Sequence, residues 1–346
     1  MRRLSGVLSA TLVAFVLTVG PAAACGGLIG PNGAVNLLRT TTLAGYSNGV
    51  EHYITAFQFA GGGGSFGSIT PLPGVPTSVV KGGDWTLQRL IRETSPVRDE
   101  LFRLSAVAAA PSAEELMKVR IDALDLTVLR GGAAAIGTWA KDHGFRLPPD
   151  APEVLDFYAR RSQIFLAAAF DADAAAERGQ QLGDGTPVHI TIPTDDPWVP
   201  LRILALGKNG AERVEADVFL LTELRPSLMP TPIGRNGLKL AHFAPATDSL
   251  LDDLRSDRDM EWVPARGWLT QVRIDAAASQ LKYDLAIDAS GAGQPSRVDA
   301  GFQLPGVIPT ATESSGLGLA IVFVAVGLSV IGGLMTAGGR RRATVA

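Results

Sequence analysis

Two apolar stretches without a single charge, one near each end, divide this 346-residue chain before any local pattern is read. Residues 7–19 form an apolar run, preceded by Arg2 and Arg3 and followed by Pro21, Ala22, Ala23 and Ala24. A basic start, a short apolar core and a small-residue end are the parts of an export signal. The run is about 13 residues, short of the ~20 that cross a bilayer as a helix. Residues 317–338 carry no charged side chain, and Arg340, Arg341 and Arg342 follow almost directly. That length suffices to span, and the flanking arginines favour the cytoplasmic side. The expectation is a signal peptide over 1–24, a single transmembrane helix over 317–338 and a short cytoplasmic tail over 339–346. The implied localisation is the cell membrane, single-pass, with the N-terminal domain outside the cytoplasm.

Roughly 290 residues remain between the two ends, enough for one large domain or two modest ones with real cores. The net charge of -3 gives no basic footprint, which argues against a nucleic-acid partner. Cys25 is the one cysteine, so an exported domain has no internal disulfide and its core must hold itself. Cleavage after Ala24 would make Cys25 the mature N-terminus. Lipidation of Cys25 is the competing reading, although Ala22 stands where that route favours a leucine-like residue.

Along the chain, residues 51–59 alternate and are rich in β-formers, which predicts a strand. Residues 68–80 read as an extended edge or irregular strand, because Pro71, Pro73 and Pro76 exclude a helix. Asp84 is expected to cap a helix carrying Leu87, Leu90, Ile91 and Thr94 on one face. A second helix follows Pro96, and Ser112 with Glu115 forms a capping-box pattern ahead of a third. A strand at Leu124, Leu126 and Val128 precedes a helix over 133–142 with Gly144 as its stop. Asp150 and Glu153 open a further helix through Tyr158. Strands are then expected over 163–170, 187–192, 199–206, 214–221, 269–274 and 283–287, with a helix near 248–258. Helices and strands do not alternate as in a doubly wound sheet. The predicted fold class is therefore α+β, a largely antiparallel sheet with helices in the N-terminal half, plus the C-terminal transmembrane helix. The domain is placed at 25–289, as one unit or two subdomains. The Gly-, Pro- and Ser-rich stretch 290–316 is read as a stalk.

Four segments carry a resemblance: Ala24-Cys25-Gly26-Gly27; residues 67–76, Gly-Ser-Ile-Thr-Pro-Leu-Pro-Gly-Val-Pro; residues 126–170 with Trp139, His143-Gly144-Phe145-Arg146-Leu147-Pro148 and Tyr158; and residues 187–206 with Val199-Pro200-Leu201-Arg202. In this order, over roughly Cys25 to Pro226, they resemble an exported bacterial family known as domain of unknown function 2330. The resemblance implies an envelope protein, often with a C-terminal span. It implies no activity and no catalytic residues.

Catalytic motifs are incomplete. Gly63-Gly64-Ser65-Phe66-Gly67 matches a nucleophile elbow, but the elbow needs a helix after the serine, and the prolines downstream forbid one. A phosphate loop would need a lysine that these glycines lack. His52, His143, His189 and His242 show no ligand at i+3 or i+4, so spacing gives no zinc signal, and surface roles are expected for each. Acidic clusters at Asp171, Asp173 and Glu177, at Asp195 and Asp196, and at Asp252, Asp253, Asp257 and Asp259 lack the spacing of a calcium loop. No metal or cofactor is expected, and catalytic residues are unknown. Pro71, Pro73, Gly74 and Pro76 form a stiff segment that could serve recognition, against a plain edge strand. Ala325, Ser329, Gly333 and Ala337 repeat every four residues, as a weak homodimer contact between spans would. The function expected is binding or scaffolding of an envelope protein or polymer at the membrane. The alternative is an unrecognised envelope hydrolase or metal-dependent enzyme; whether the chain is an enzyme stays open, leaning to no.

Overall fold

The computed structural model describes residues 27–31, 33–34, 40–58, 65–95, 115–177, 185–303 and 305. The signal segment, Cys25, Gly63, Gly64, the helix expected after Pro96, Ser112, and the apolar run with Ala325, Ser329, Gly333 and Ala337 lie outside the described residues. Among the described residues no helix is long and apolar enough to cross a membrane.

In chain order the strands are β1 (Gly27–Gly30), β2 (Gly33–Ala34), β3 (Thr40–Ser47), β4 (Val50–Gln58), β5 (Phe66–Leu72), β6 (Ser78–Lys81), β7 (Glu115–Ile121), β8 (Leu124–Arg130), β9 (Ile164–Phe170), β10 (Gly185–Pro193), β11 (Trp198–Val199), β12 (Arg213–Thr222), β13 (Ser227–Met229), β14 (Leu238–Pro245), β15 (Trp268–Ala277) and β16 (Leu285–Asp288). The helices are α1 (Thr86–Thr94), α2 (Ala133–Asp142), α3 (Ala151–Ala159), α4 (Ala172–Glu177) and α5 (Asp248–Arg255). One sheet runs β2-β1-β5-β9-β8-β7, a second β14-β15-β12-β3-β4-β10-β6, and a small third β11-β16-β13. Among the described residues every strand pairing is antiparallel except β12 with β3. The fold is thus mixed α+β with mostly antiparallel sheets and few helices.

Alternation along each strand sends side chains to opposite faces, and the second sheet uses both. Tyr53, Val188, Val218 and Leu220 join Ile69, Leu126 and Phe165 of the first sheet in one continuous core. The other face carries Leu43, Ile54, Phe219, Leu221 and Leu269, which form a smaller core with Leu90 of α1 and Leu250, Leu251 and Leu254 of α5.

Several expectations change for identifiable reasons. Residues 115–121 are strand β7, not helix: Met117, Val119 and Ile121 alternate and pair with β8 across the Asp122-Ala123 turn. Asp122 holds a φ of 62° there, and its carboxylate receives Lys81 at 2.8 Å, tying the edges of the two large sheets together. Residues 199–206 are not one strand but the end of β11 and a 3₁₀ turn over Arg202–Ala205. Strand β5 is interior, between β1 and β9. Pro71 lies beyond Ile69, where the described pairing with β1 stops, and among the described residues its strand neighbour is β9.

Helix α1 is capped by Asp257, not by Asp84. The Asp257 carboxylate accepts from the backbone N–H groups of Asp84, Trp85 and Thr86 and from the Thr86 hydroxyl. Asp150 likewise spends its carboxylate on the Gly207 N–H instead of its own helix. The α2 stop behaves as expected, with Gly144 at φ 74°. Of the segment read as a stalk, residues 296–302 are docked: Ala300 is buried, its carbonyl accepts from the Asp284 N–H, and Phe302 lies against Tyr283.

Candidate functional site

The smaller core leaves a rim, and there two histidines meet. His52 pairs across with Gly45 and with Thr191, and His189 with Ile54, so both rings project from the α1–α5 face of adjacent strands. His52 Nδ1 lies 3.0 Å from His189 Nε2, although 137 residues separate them in sequence. The loop after α5 covers them. Met260 and Val263 are buried in the smaller core and anchor that loop, and Arg255 holds its far end through the Pro264 carbonyl at 2.7 Å. Between the anchors, Trp262 lies flat on His52, ring centroids 4.1 Å apart and planes within 4°. Gly45 makes the room: a Cβ there would collide with the Trp262 ring.

Both imidazoles are held neutral. Burial first, and then the charge of His189, pulls His52 down to about 3. Burial pulls His189 to about 4 against the opposing carboxylates of Asp259 and Glu261. His189 is only 3% exposed, and its Nδ1 has no hydrogen-bond partner among the described residues. The shared proton can sit on either ring. If His52 donates, His189 must bury an unpaired N–H; if His189 donates from Nε2, it buries an unpaired lone pair. His52 is half-buried and opens to solvent.

A second buried polar centre is engaged in structure, although Arg161 Nε has no hydrogen-bond partner among the described residues. Tyr158 donates to Asp284 Oδ1 at 2.8 Å and accepts from the Ile203 N–H at 2.9 Å. The same oxygen of Asp284 accepts from the N–H groups of Leu201 and Arg202, and Arg161 pairs with Oδ2 while lying over the Trp198 ring. Such satisfaction is what a buried ion pair needs to be tolerated. A third centre is Glu51, on the opposite face of β4 from His52. It is fully buried, and burial pushes its carboxyl up to about 8. The Trp198 backbone pulls the other way without completing a hydrogen bond to either oxygen.

The residues singled out in sequence disperse. Pro71 and Pro76 are buried, Pro73 and Gly74 half-buried, and Val75 and Thr77 in that turn are exposed. A Cβ on Gly74 would sit 3.1 Å from the Pro193 carbonyl, so the turn is pressed onto β10. Ser65 is exposed and leads into strand β5 rather than a helix. Members of two of the acidic clusters serve caps and ion pairs: Asp171 with Arg120 and the Ala174 N–H, Asp253 with Arg89, Asp252 with Arg255. His143 is bonded to the Trp139 carbonyl at 2.8 Å. His189 is the clear departure from a surface role. Among the described residues no group of three or more His, Cys, Asp or Glu is arranged around a metal position.

A family model described as an uncharacterized protein conserved in bacteria, domain of unknown function 2330, matches residues 19–226. No curated protein matches the sequence. Among solved structures, a mutated baculovirus P35 after caspase cleavage is similar at 8% identity and a TM-score of 0.39, over 72% of this chain and 99% of that one. Baculovirus P35 is similar at 7% identity and a TM-score of 0.36, over 72% and 96%. Scores this low carry no weight for function.

Proposed function

This chain belongs to the bacterial family of domain of unknown function 2330, and from that premise we propose that it is a membrane-anchored extracytoplasmic protein that binds or scaffolds an envelope protein or polymer. The carrying observation is the charge-free run 317–338 closed by Arg340, Arg341 and Arg342. A charged side chain at mid-helix would cost about 2.5–3.5 kcal/mol on the insertion scale, and the run contains none. The described residues of the domain extend to Gln303 and Pro305, shortly before that run in sequence. Binding is favoured over turnover because the family-like segments serve the fold. Residues 67–72 are buried in β5, and Tyr158, Leu201 and Arg202 serve the Asp284 network.

The test is membrane fractionation with protease added to spheroplasts. The outer domain should be digested from outside while a C-terminal tag on the short tail survives. A soluble chain, or an outer domain protected until the membrane is broken, would refute the topology. Removal of residues 1–24 is read by intact mass, and added acyl mass on Cys25 would select the lipidated form. A specific observation keeps the metal-dependent enzyme as second reading: buried His189 pairs with His52 and feels Asp259 and Glu261. A stripe of Ala325, Ser329, Gly333 and Ala337 would let two spans pack closely.

A further inference from the structure

We propose that His52 and His189 together bind one divalent transition-metal ion, Cu(II) most tightly, through His52 Nδ1 and His189 Nε2. The two nitrogens stand 3.0 Å apart. With metal–imidazole bonds of about 2.0–2.1 Å, that separation subtends roughly 91–97° at an ion, close to the angle between cis positions of tetragonal coordination. A tetrahedral ion would need the nitrogens about 3.3 Å apart with the same bonds. Tetragonal nitrogen and oxygen coordination suits Cu(II) or Ni(II), and Cu(II) stands highest in the affinity order of divalent ions. Trp262 holds the His52 ring plane, so the turn that aims both lone pairs at one point falls on the soft χ2 torsion of His189.

The surroundings suit a cation. Neutral imidazole is the metal-binding form, and the proton shared between the two facing nitrogens moves to an outer ring nitrogen when the ion takes its place. Asp259 and Glu261 supply negative potential at His189. Trp262, stacked on His52, fixes the ring plane in the way that supporting residues orient metal ligands. The half-buried edge of His52 gives the ion its approach. Since no third protein ligand joins among the described residues, water completes the coordination. The inference is independent of the envelope reading, because binding in solution does not depend on where the chain resides.

The experiment uses the full chain in detergent with Cys25→Ser, so that no thiol competes for copper. Cu(II) is titrated against glycine as a weak competitor and followed by electron paramagnetic resonance. One Cu(II) per chain, with coupling to imidazole nitrogens, is expected. His52→Gln and His189→Gln should each weaken it by more than the roughly 10- to 100-fold that loss of a mere supporting residue causes. His143→Gln and His242→Gln should leave it unchanged. Cu(II) should also shield His52 from diethyl pyrocarbonate in the chain with both histidines intact, a readout that needs no histidine variant to fold. Failure to compete with glycine, unchanged binding in either His52→Gln or His189→Gln, or an unshielded His52 would overturn the proposal.

Discussion

Replacing Glu51 with Gln isolates the cost of a buried carboxyl. Glu51 is fully buried, its oxygens lack hydrogen-bond partners among the described residues, and its carboxyl is pushed from 4.5 to about 8. The folded state therefore keeps a proton that the unfolded chain releases above pH 4.5. Below that pH both states are protonated and the group is neutral to stability. As pH rises toward 8 the folded state binds more protons than the unfolded one, so stability falls. A difference of about 3.5 units at 1.36 kcal/mol each gives a loss of about 4–5 kcal/mol once pH exceeds 8, and about 3 kcal/mol at pH 7. Gln keeps the shape and removes the titration, at the constant cost of an amide that needs its own partners. Urea unfolding of the full chain in detergent, followed by tryptophan fluorescence at pH 4.5, 6, 7 and 8, reads the difference. Glu51→Gln should be no better than the parent at pH 4.5 and progressively better as pH rises. A stability difference that stays flat across this range would show that Glu51 is solvated or paired in the folded protein, and the reasoning would fail.

The histidine pair has the opposite sign. His52 and His189 are depressed below 6.5, so they bind fewer protons when folded, and stability is lost as pH falls from 6.5 through about 4 and about 3. For His189 the shift corresponds to about 3 kcal/mol, and His189→Gln should flatten the acid limb of the unfolding curve; an unchanged limb would contradict the burial argument. Gly45→Ala drives a methyl into the Trp262 ring, and overpacking of this kind costs about 1–3 kcal/mol; an unshifted melting temperature would place Trp262 elsewhere. Asp257→Ala strips the N-terminus of α1 of its acceptor, leaving several N–H groups unpaired, and should cost about 2 kcal/mol or more in unfolding experiments. Gly333→Ile should sharply reduce cross-linking between copies in membranes if the small-residue stripe packs two spans; equal cross-linking leaves a plain anchor.

Strong local patterns were legible, and long-range partners were not. The alternating runs of β4 and β8, the apolar runs of β9, β12 and β15 and the α2 stop at Gly144 are written in a few adjacent residues, so sequence sufficed. Helix α1 was found but its cap misassigned, because the capping carboxylate, Asp257, arrives from 171 residues away. Ser112 and Glu115 imitate a helix start, yet Met117, Val119 and Ile121 find β8 across a two-residue turn, and pairing outweighs the cap pattern. Strand β14 escaped notice since Lys239, Leu240 and Ala241 are all exposed on a sheet edge, where no buried face imposes alternation.

The histidine pair shows what spacing rules do not read. Metal motifs on one helix or one turn appear as short intervals, but neighbouring strands can bring together residues at any interval. That β4 pairs with β10 depends on register over the whole sheet, and only this register puts His52 diagonal to His189 on one face. A shift of one residue would send His189 into the main core and Val188 to the rim, because the side-chain period is two. Trp262 comes from a loop whose composition announced nothing; its place follows from Met260 and Val263 anchoring in the smaller core on either side. Adjacent residues of β4 also carry opposite burdens. Glu51 faces the large core and is pushed toward its neutral acid, while His52 faces the smaller core and is pushed toward its neutral base. Both shifts have one cause, the removal of water from a strand covered on both faces. Their pH ranges overlap: the histidines weaken the sheet as pH falls below 6.5, Glu51 weakens it as pH rises above 4.5, and the two effects together place its most stable point near pH 6.5.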